Sequence, residues 1–148
     1  MKLPNNLGHL TYSTLVHAGD DWSQMRASLE EFVPEVKDRL GVKGKFGVSL
    51  RLSGESAKTL TGSANERASL KKYLDENELY VFTINAFPFG PFKGQRVMEQ
   101  VYEPDWTTQE RVNYTKSIAD ILVEITDPDI SPSIQTAPLA FTPNVVDE

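Results

Sequence analysis

Apolar residues recur along this chain with two different periods, and the switches between the periods mark out strands and helices in turn. A short β-prone run covers 9–14, His9-Leu-Thr-Tyr-Ser-Thr14, and turn residues follow at 17–21. Trp22, Met25, Leu29, Phe32, Val33, Val36 and Leu40 then return every three or four residues, the spacing of one helix face. Asp21 with Gln24 three residues on predicts a capping box at its start, and Gly41 a stop. Pro34 lies inside this pattern and predicts a kink rather than a division. Phe46, Val48, Leu50 and Leu52 alternate with Gly47, Ser49, Arg51 and Ser53, which is strand periodicity.

Residues 55–60 predict a helical turn that Gly62 ends. Ser63 with Glu66 caps a second helix carrying Ala68, Leu70, Tyr73 and Leu74 and closing near Asn77. A third strand runs over 79–85. After a long loop, Thr107 with Glu110 caps a third helix whose stripe is Val112, Ile118, Ala119, Leu122 and Ile125. Pro128 and Pro132 close it, and 133–137 reads as a fourth strand that leaves at Pro138.

The alternation predicts an α/β chain of parallel strands joined by right-handed crossovers, with four strands and three main helices in one domain over 1–148. Strand starts near 9, 46, 79 and 133 are spaced much as in a (β/α)8 barrel, where a unit takes about 31 residues. The chain thus has the content of half such a barrel. An open, doubly wound four-stranded sheet fits the same pattern, and periodicity leaves the two open.

Composition narrows the function. Fifteen Lys and Arg against 21 Asp and Glu give a net charge of −6, which disfavours a phosphate backbone or anionic membrane as partner. There is no run of eighteen apolar residues for membrane insertion, and the first ten residues lack the apolar centre of a secretory leader. Without cysteine, thiolate metal sites, disulfides and cysteine nucleophiles drop out together, and a reducing, cytoplasmic setting is expected. Gly-rich phosphate loops, nucleophile elbows and metalloprotease helices are also missing from the sequence.

The most distinctive stretch is 79–94. A β-branched and aromatic run stops abruptly in Asn85-Ala-Phe-Pro-Phe-Gly-Pro-Phe-Lys-Gly94, with an amide, three phenylalanines and two glycines that suit a small polar guest. Together with Thr11-Tyr-Ser-Thr14, His17-Ala-Gly-Asp-Asp-Trp22, Leu50-Arg-Leu-Ser53, Val101-Tyr-Glu-Pro-Asp-Trp106 and 133–139, it resembles the N-terminal part of the EboE family. Those proteins are called metabolite traffic proteins and are related to xylose isomerase-like TIM barrels. The resemblance spans nearly the whole chain and implies half of such a barrel, with a sugar-like metabolite as partner. Family members are longer, and the later strands, which supply many acidic and histidine ligands in related metal-dependent barrels, lie beyond the fourth strand. A divalent metal is therefore expected only if the missing half-barrel is supplied, by further chain or by a homodimer. The alternatives are a metal-dependent sugar isomerase or epimerase, and a half-barrel active only after assembly.

In a parallel barrel, ligands gather at the carboxyl ends of the strands. That rule selects His17, Arg51, Asn85, Phe87, Phe89, Asp105 and Thr136 as substrate-binding candidates, with no catalytic residue singled out. Arg51 offers a planar fork for an anion or hydroxyl, or an internal ion pair with a carboxylate such as Asp105. Asn85 reads a hydroxyl through its amide or caps the turn at 88–90. Phe87, Phe89 and Phe92 stack on a ring or plug the crevice. His17, the better placed of the two histidines, is a ligand or acid/base candidate oriented by Asp20 and Asp21, which otherwise cap the helix. Asp105 and Trp106 stand before a helix start, and Gln135 and Thr136 line the exit of the last strand.

Overall fold

The structure, a computed structural model, describes residues 1–91 and 98–145. Its elements are β1 (Tyr12–Ser13), α1 (Trp22–Arg39), β2 (Phe46–Arg51), α2 (Gly54–Gly62), α3 (Ala64–Glu76), β3 (Leu79–Asn85), α4 (Gln109–Ile125) and β4 (Ser133–Gln135). The four strands form one sheet in the order β1-β2-β3-β4, and every neighbouring pair is parallel. The chain is an α/β protein, as its periodicity predicts. The strand order contains no reversal, so the sheet lacks the switch point that defines a doubly wound fold.

Local chemistry explains where the helices begin. Asp21 Oδ1 accepts from the Gln24 amide at 2.8 Å, and Gln24 Oε1 turns back to the Asp20 amide at 3.2 Å, one residue earlier than a capping box requires. Ser63 Oγ accepts from the Glu66 amide, but the Glu66 carboxylate takes the Trp22 indole N–H at 2.9 Å instead of closing the box. The α4 cap is Thr108, one residue after the one predicted; its Oγ1 accepts from the Arg111 amide. Helix α1 runs unbroken through Pro34.

Three further expectations are corrected. Residues 54–62 form a full helix, capped by Ser53 Oγ on the Ser56 amide, so the described residues form four α-helices where three main helices were expected. The first strand is only Tyr12–Ser13; His9 pairs antiparallel with Lys2 in a hairpin ahead of it. The fourth strand ends at Gln135, two residues early.

One core serves the molecule. Leu29 and Val33 of α1, Ala57 and Leu60 of α2, Leu70 and Leu74 of α3 and Ile118, Ile121, Leu122 and Ile125 of α4 bury against Phe46, Val48, Leu50, Leu79, Val81 and Ile84. Each of these side chains larger than alanine contributes roughly 1.5–3 kcal/mol by leaving water. Helix α1 touches α2, α2 touches α3 and α4, and α3 touches α4, so the helices form a single layer on one side of the sheet.

The other face carries no α-helix among the described residues. Its amino end is covered by the N-terminal hairpin. His9 Nδ1 shares a 2.9 Å hydrogen bond with the Tyr80 hydroxyl and its ring lies 4.9 Å from Phe82, while the Met1 amino group donates to the Leu10 carbonyl. Gly47 makes this seat: a Cβ there would lie 2.6 Å from both Leu10 O and Met1 N.

Candidate functional site

Strand register sets out the helix-free face in rows. Ser13 is paired with Ser49, Ser49 with Thr83, and Thr83 with Ser133, which lays one hydroxyl residue from each strand across the whole sheet. Two residues nearer the carboxyl ends, Arg51 is paired with Asn85 and Asn85 with Gln135. The row between them, Leu50, Ile84 and Ile134, points to the helices. Along these two rows the face is polar where the opposite face is apolar.

The carboxyl-end row is tied into the fold. Arg51 is 3% exposed. Its Nη1 donates to Gly19 O at 2.6 Å and its Nη2 to Gly90 O at 3.0 Å, and both approach Asp20 Oδ1 at 3.4 Å. Burial pulls the guanidinium below its ordinary pKa and Asp20 pushes it back up. Arg51 therefore fastens the loops after β1 and β3 to the strand between them. Among the described residues its ion partner is Asp20, not Asp105. Asn85 Nδ2 donates to Gln135 Oε1 at 3.0 Å, and its Oδ1 accepts from the Phe87 amide at 3.1 Å, so it combines the turn-capping role with a cross-strand bond.

The remaining candidates separate. His17 lies beyond the β1 edge, where its Nε2 shares a 2.8 Å hydrogen bond with the Tyr12 hydroxyl and its ring meets Phe32 edge-on at 5.2 Å. It lines a small recess with Thr14, Gly19, Met25 and Arg51. Phe87 packs against Tyr102, which stacks on Phe141. Phe89 turns to the helix side, edge-on to Tyr114 at 5.0 Å and against Gly54, where a Cβ would lie 2.4 Å from the ring. Asp105 is buried and its Oδ1 accepts from the Thr107 amide and hydroxyl, an Asx turn leading into α4. Trp106 donates its indole N–H to Ala137 O. Thr136 is exposed beside Gln135. Phe92 and Gly94 lie outside the described residues. The structure brings Arg51 and Asn85 side by side, with Gln135 next to them, and does not gather Phe89 or Asp105 over that row.

Sequence reasoning missed Arg111, which is fully buried. Its Nε donates to Pro104 O at 2.6 Å, Nη1 to Ala86 O at 2.7 Å and Nη2 to Phe87 O at 3.2 Å, so one side chain holds both ends of the long β3–α4 loop. The signal was present in the spacing. Arg111, Tyr114, Ile118, Ile121, Leu122 and Ile125 are the buried stripe of α4, whereas Val112 and Ala119 lie beside it, half-buried. Tyr114 donates its hydroxyl to Leu52 O, and burial pushes its pKa up, keeping it a donor.

A divalent cation, which the isomerase reading requires, needs several convergent oxygen or imidazole ligands. Among the described residues no three His, Asp or Glu are grouped to hold one, and His9 and His17 engage different tyrosines. The described residues therefore do not fit the metal. No described helix is long and apolar enough to cross a membrane. In comparisons with known proteins, no family model matches the chain, and neither a curated protein nor a solved structure is detectably similar to it.

Proposed function

We propose that this chain binds a small, neutral, hydroxyl-rich metabolite of sugar-like size on the helix-free face, at the carboxyl ends of its parallel strands. The observation that carries the reading is the pair of polar rows, Ser13–Ser49–Thr83–Ser133 and Arg51–Asn85–Gln135, set across strands that all point the same way. Adjacent strands lie about 4.8 Å apart, close to the separation of hydroxyls on alternate carbons of a pyranose ring. Ser49, Arg51 and Asn85 are buried and Asp20 balances Arg51, so the face offers the half-buried Ser13 and Thr83 and the exposed Ser133 and Gln135, hydroxyls and an amide rather than net charge, which favours a neutral guest. The row sits where an (α/β) barrel of the xylose isomerase-like type presents its ligand site, and this agrees with an EboE-like role in holding or passing on a metabolite in the cytoplasm.

Binding is favoured over turnover, since an isomerase needs a base poised at the reacting carbon and a metal to polarise the oxygens. Saturation-transfer NMR with monosaccharides and polyols against amino acids tests the reading. Saccharide signals are expected to saturate, and to weaken several-fold in Ser133→Ala and Gln135→Ala variants while a Lys116→Ala control on α4 leaves them unchanged. Equal signals in all four proteins, or none from any saccharide, would refute it.

A further inference from the structure

At the amino ends of the strands, away from the Arg51–Asn85–Gln135 row, a cavity of about 310 Å³ opens beside the start of β3. Small-molecule sites span roughly 300–1,000 Å³, so this one suits a small guest. One wall is Tyr80, the second residue of β3, which is buried and whose hydroxyl shares the 2.9 Å hydrogen bond with His9 Nδ1. The charged groups around it come from separate segments. Lys2 belongs to the N-terminal hairpin and Lys45 immediately precedes β2, whereas Asp127 and Asp129 lie between α4 and β4. Because β3 separates β2 from β4 in the sheet, Lys45 and the aspartates reach the cavity from opposite sides of that strand. Lys45 Nζ donates to Asp127 Oδ2 at 2.6 Å and Lys71 takes the other oxygen, so Asp127 is already satisfied. Lys2 and Asp129 are exposed, and among the described residues neither makes an ion pair or a side-chain hydrogen bond. The cavity thus keeps one free ammonium and one free carboxylate, and Ile130 and the Tyr80 ring add apolar surface.

We infer that this cavity takes a small zwitterion, with one carboxylate and one ammonium on a short carbon chain, the chemistry of an amino acid. Lys2 receives the carboxylate and Asp129 the ammonium, both through charge-assisted hydrogen bonds. A simple anion would meet Asp129, and a simple cation Lys2 and Lys45, so either guest would lie beside a like charge. A neutral guest would strip water from Lys2 and Asp129 without replacing it by an opposite charge. The zwitterion answers both groups at once. This site is separate from the proposed saccharide face, since five residues of β3 lead from Tyr80 to Asn85, roughly 16 Å along the strand.

Titrating the full chain with glycine, β-alanine and γ-aminobutyrate, read by NMR, tests the inference. At least one of the three is expected to shift the His9 ring and Ile130 amide signals, and an equimolar mixture of acetate and methylammonium to bind about ten-fold more weakly, because its charges arrive on separate molecules. Lys2→Gln and Asp129→Asn are each expected to weaken the best zwitterion about ten-fold, while Gln135→Ala leaves it unchanged. Both substituted side chains are exposed, so the fold should persist, and the same spectra report whether it does. No shift with any zwitterion, equal binding of the mixed ions, or a loss in only one of the two charge variants would overturn the inference. A loss in Gln135→Ala would also overturn it, by placing the guest at the other end of the sheet. Failure on any of these counts leaves the saccharide reading, which depends on Ser133 and Gln135, untouched.

Discussion

Thr83 stands opposite Ser49 although Val81 stands opposite Val48, so Phe82 is an extra residue in β3. This bulge resets the alternation of the strand. Without it Ser49 would face Phe82, Leu50 would face Thr83 and Arg51 would face Ile84, which would move a hydroxyl into the apolar layer and an isoleucine onto the polar face. With it, Leu79, Val81 and Ile84 all reach the core, and Thr83 and Asn85 complete the polar rows. Phe82 itself lies against the His9 ring, under the N-terminal hairpin.

Deleting Phe82 is therefore expected to leave a regular ladder with every other residue on its present face. That variant should stay folded, with native circular dichroism and a cooperative though lowered melt. Deleting Ile84 removes a buried side chain and forces Thr83 or Asn85 toward the helices, at a cost of about 2–5 kcal/mol. Urea denaturation of the two proteins distinguishes them, and equal destabilisation would show that the bulge does not set the register.

Arg111→Met should lower stability by about 3 kcal/mol, because it leaves the carbonyls of Pro104, Ala86 and Phe87 without the donor they share. Lysine at the same place carries the charge but not the fork, and is expected to recover only a small part. Chemical denaturation gives the size of the loss. Limited proteolysis gives its place, with new cleavage expected between β3 and α4. Unchanged stability in Arg111→Met would mean that the loop is held by other contacts.

Gly47→Ala addresses the hairpin. The added methyl has to displace Leu10 O and the Met1 amino group, whereas the strand beneath tolerates alanine. The expected result is loss of protection in residues 1–10, read by amide exchange, with the β2–β3 ladder still protected. A fully protected hairpin in that variant would show that the segment is held elsewhere.

How far the sequence predicted this molecule depends on the range of the interaction. The apolar alternation at 46–52 and the spacing of Leu29 and Val33 reflect only local geometry and which face is buried, and both elements appear where predicted. Parallel order also follows, since each crossover carries a helix. The partners of Arg51 were not legible, because Asp20 and Gly90 reach it only after the loops behind β1 and β3 have folded over the strand. Phe89 was assigned to the crevice by its nearness to Asn85, but the glycine at 54 opens a place for its ring on the helix side. The hydroxyl row was hidden for a different reason. Each position is ordinary by itself, and only the register across β1, β2, β3 and β4 aligns the four hydroxyl residues.

Asp127, just beyond α4, sets the expected acid limit. Its Oδ2 accepts from Lys45 Nζ at 2.6 Å and its Oδ1 from Lys71 Nζ at 2.9 Å, and these bonds, the one from Lys45 first, hold its pKa below the ordinary carboxylate value against the opposing effect of burial. A carboxylate depressed in the folded state stabilises fully above its unfolded pKa, and that contribution disappears as pH falls through the folded value. Lys71 behaves in the opposite sense. Burial lowers its pKa, but bonds to Asp75 and Asp127 outweigh this and leave it raised, so its contribution is lost only as pH climbs through that raised value. Between the two limits, stability from this network should be flat. In Asp127→Asn the melting temperature should fall most near neutral pH, and the two proteins should converge in strong acid. The alkaline limb should shrink but persist, because Asp75 still bonds Lys71 at 2.7 Å. Melting curves of both proteins from strongly acid to alkaline pH read this out, and a difference that stayed constant into strong acid would mean that Asp127 acts through packing rather than charge.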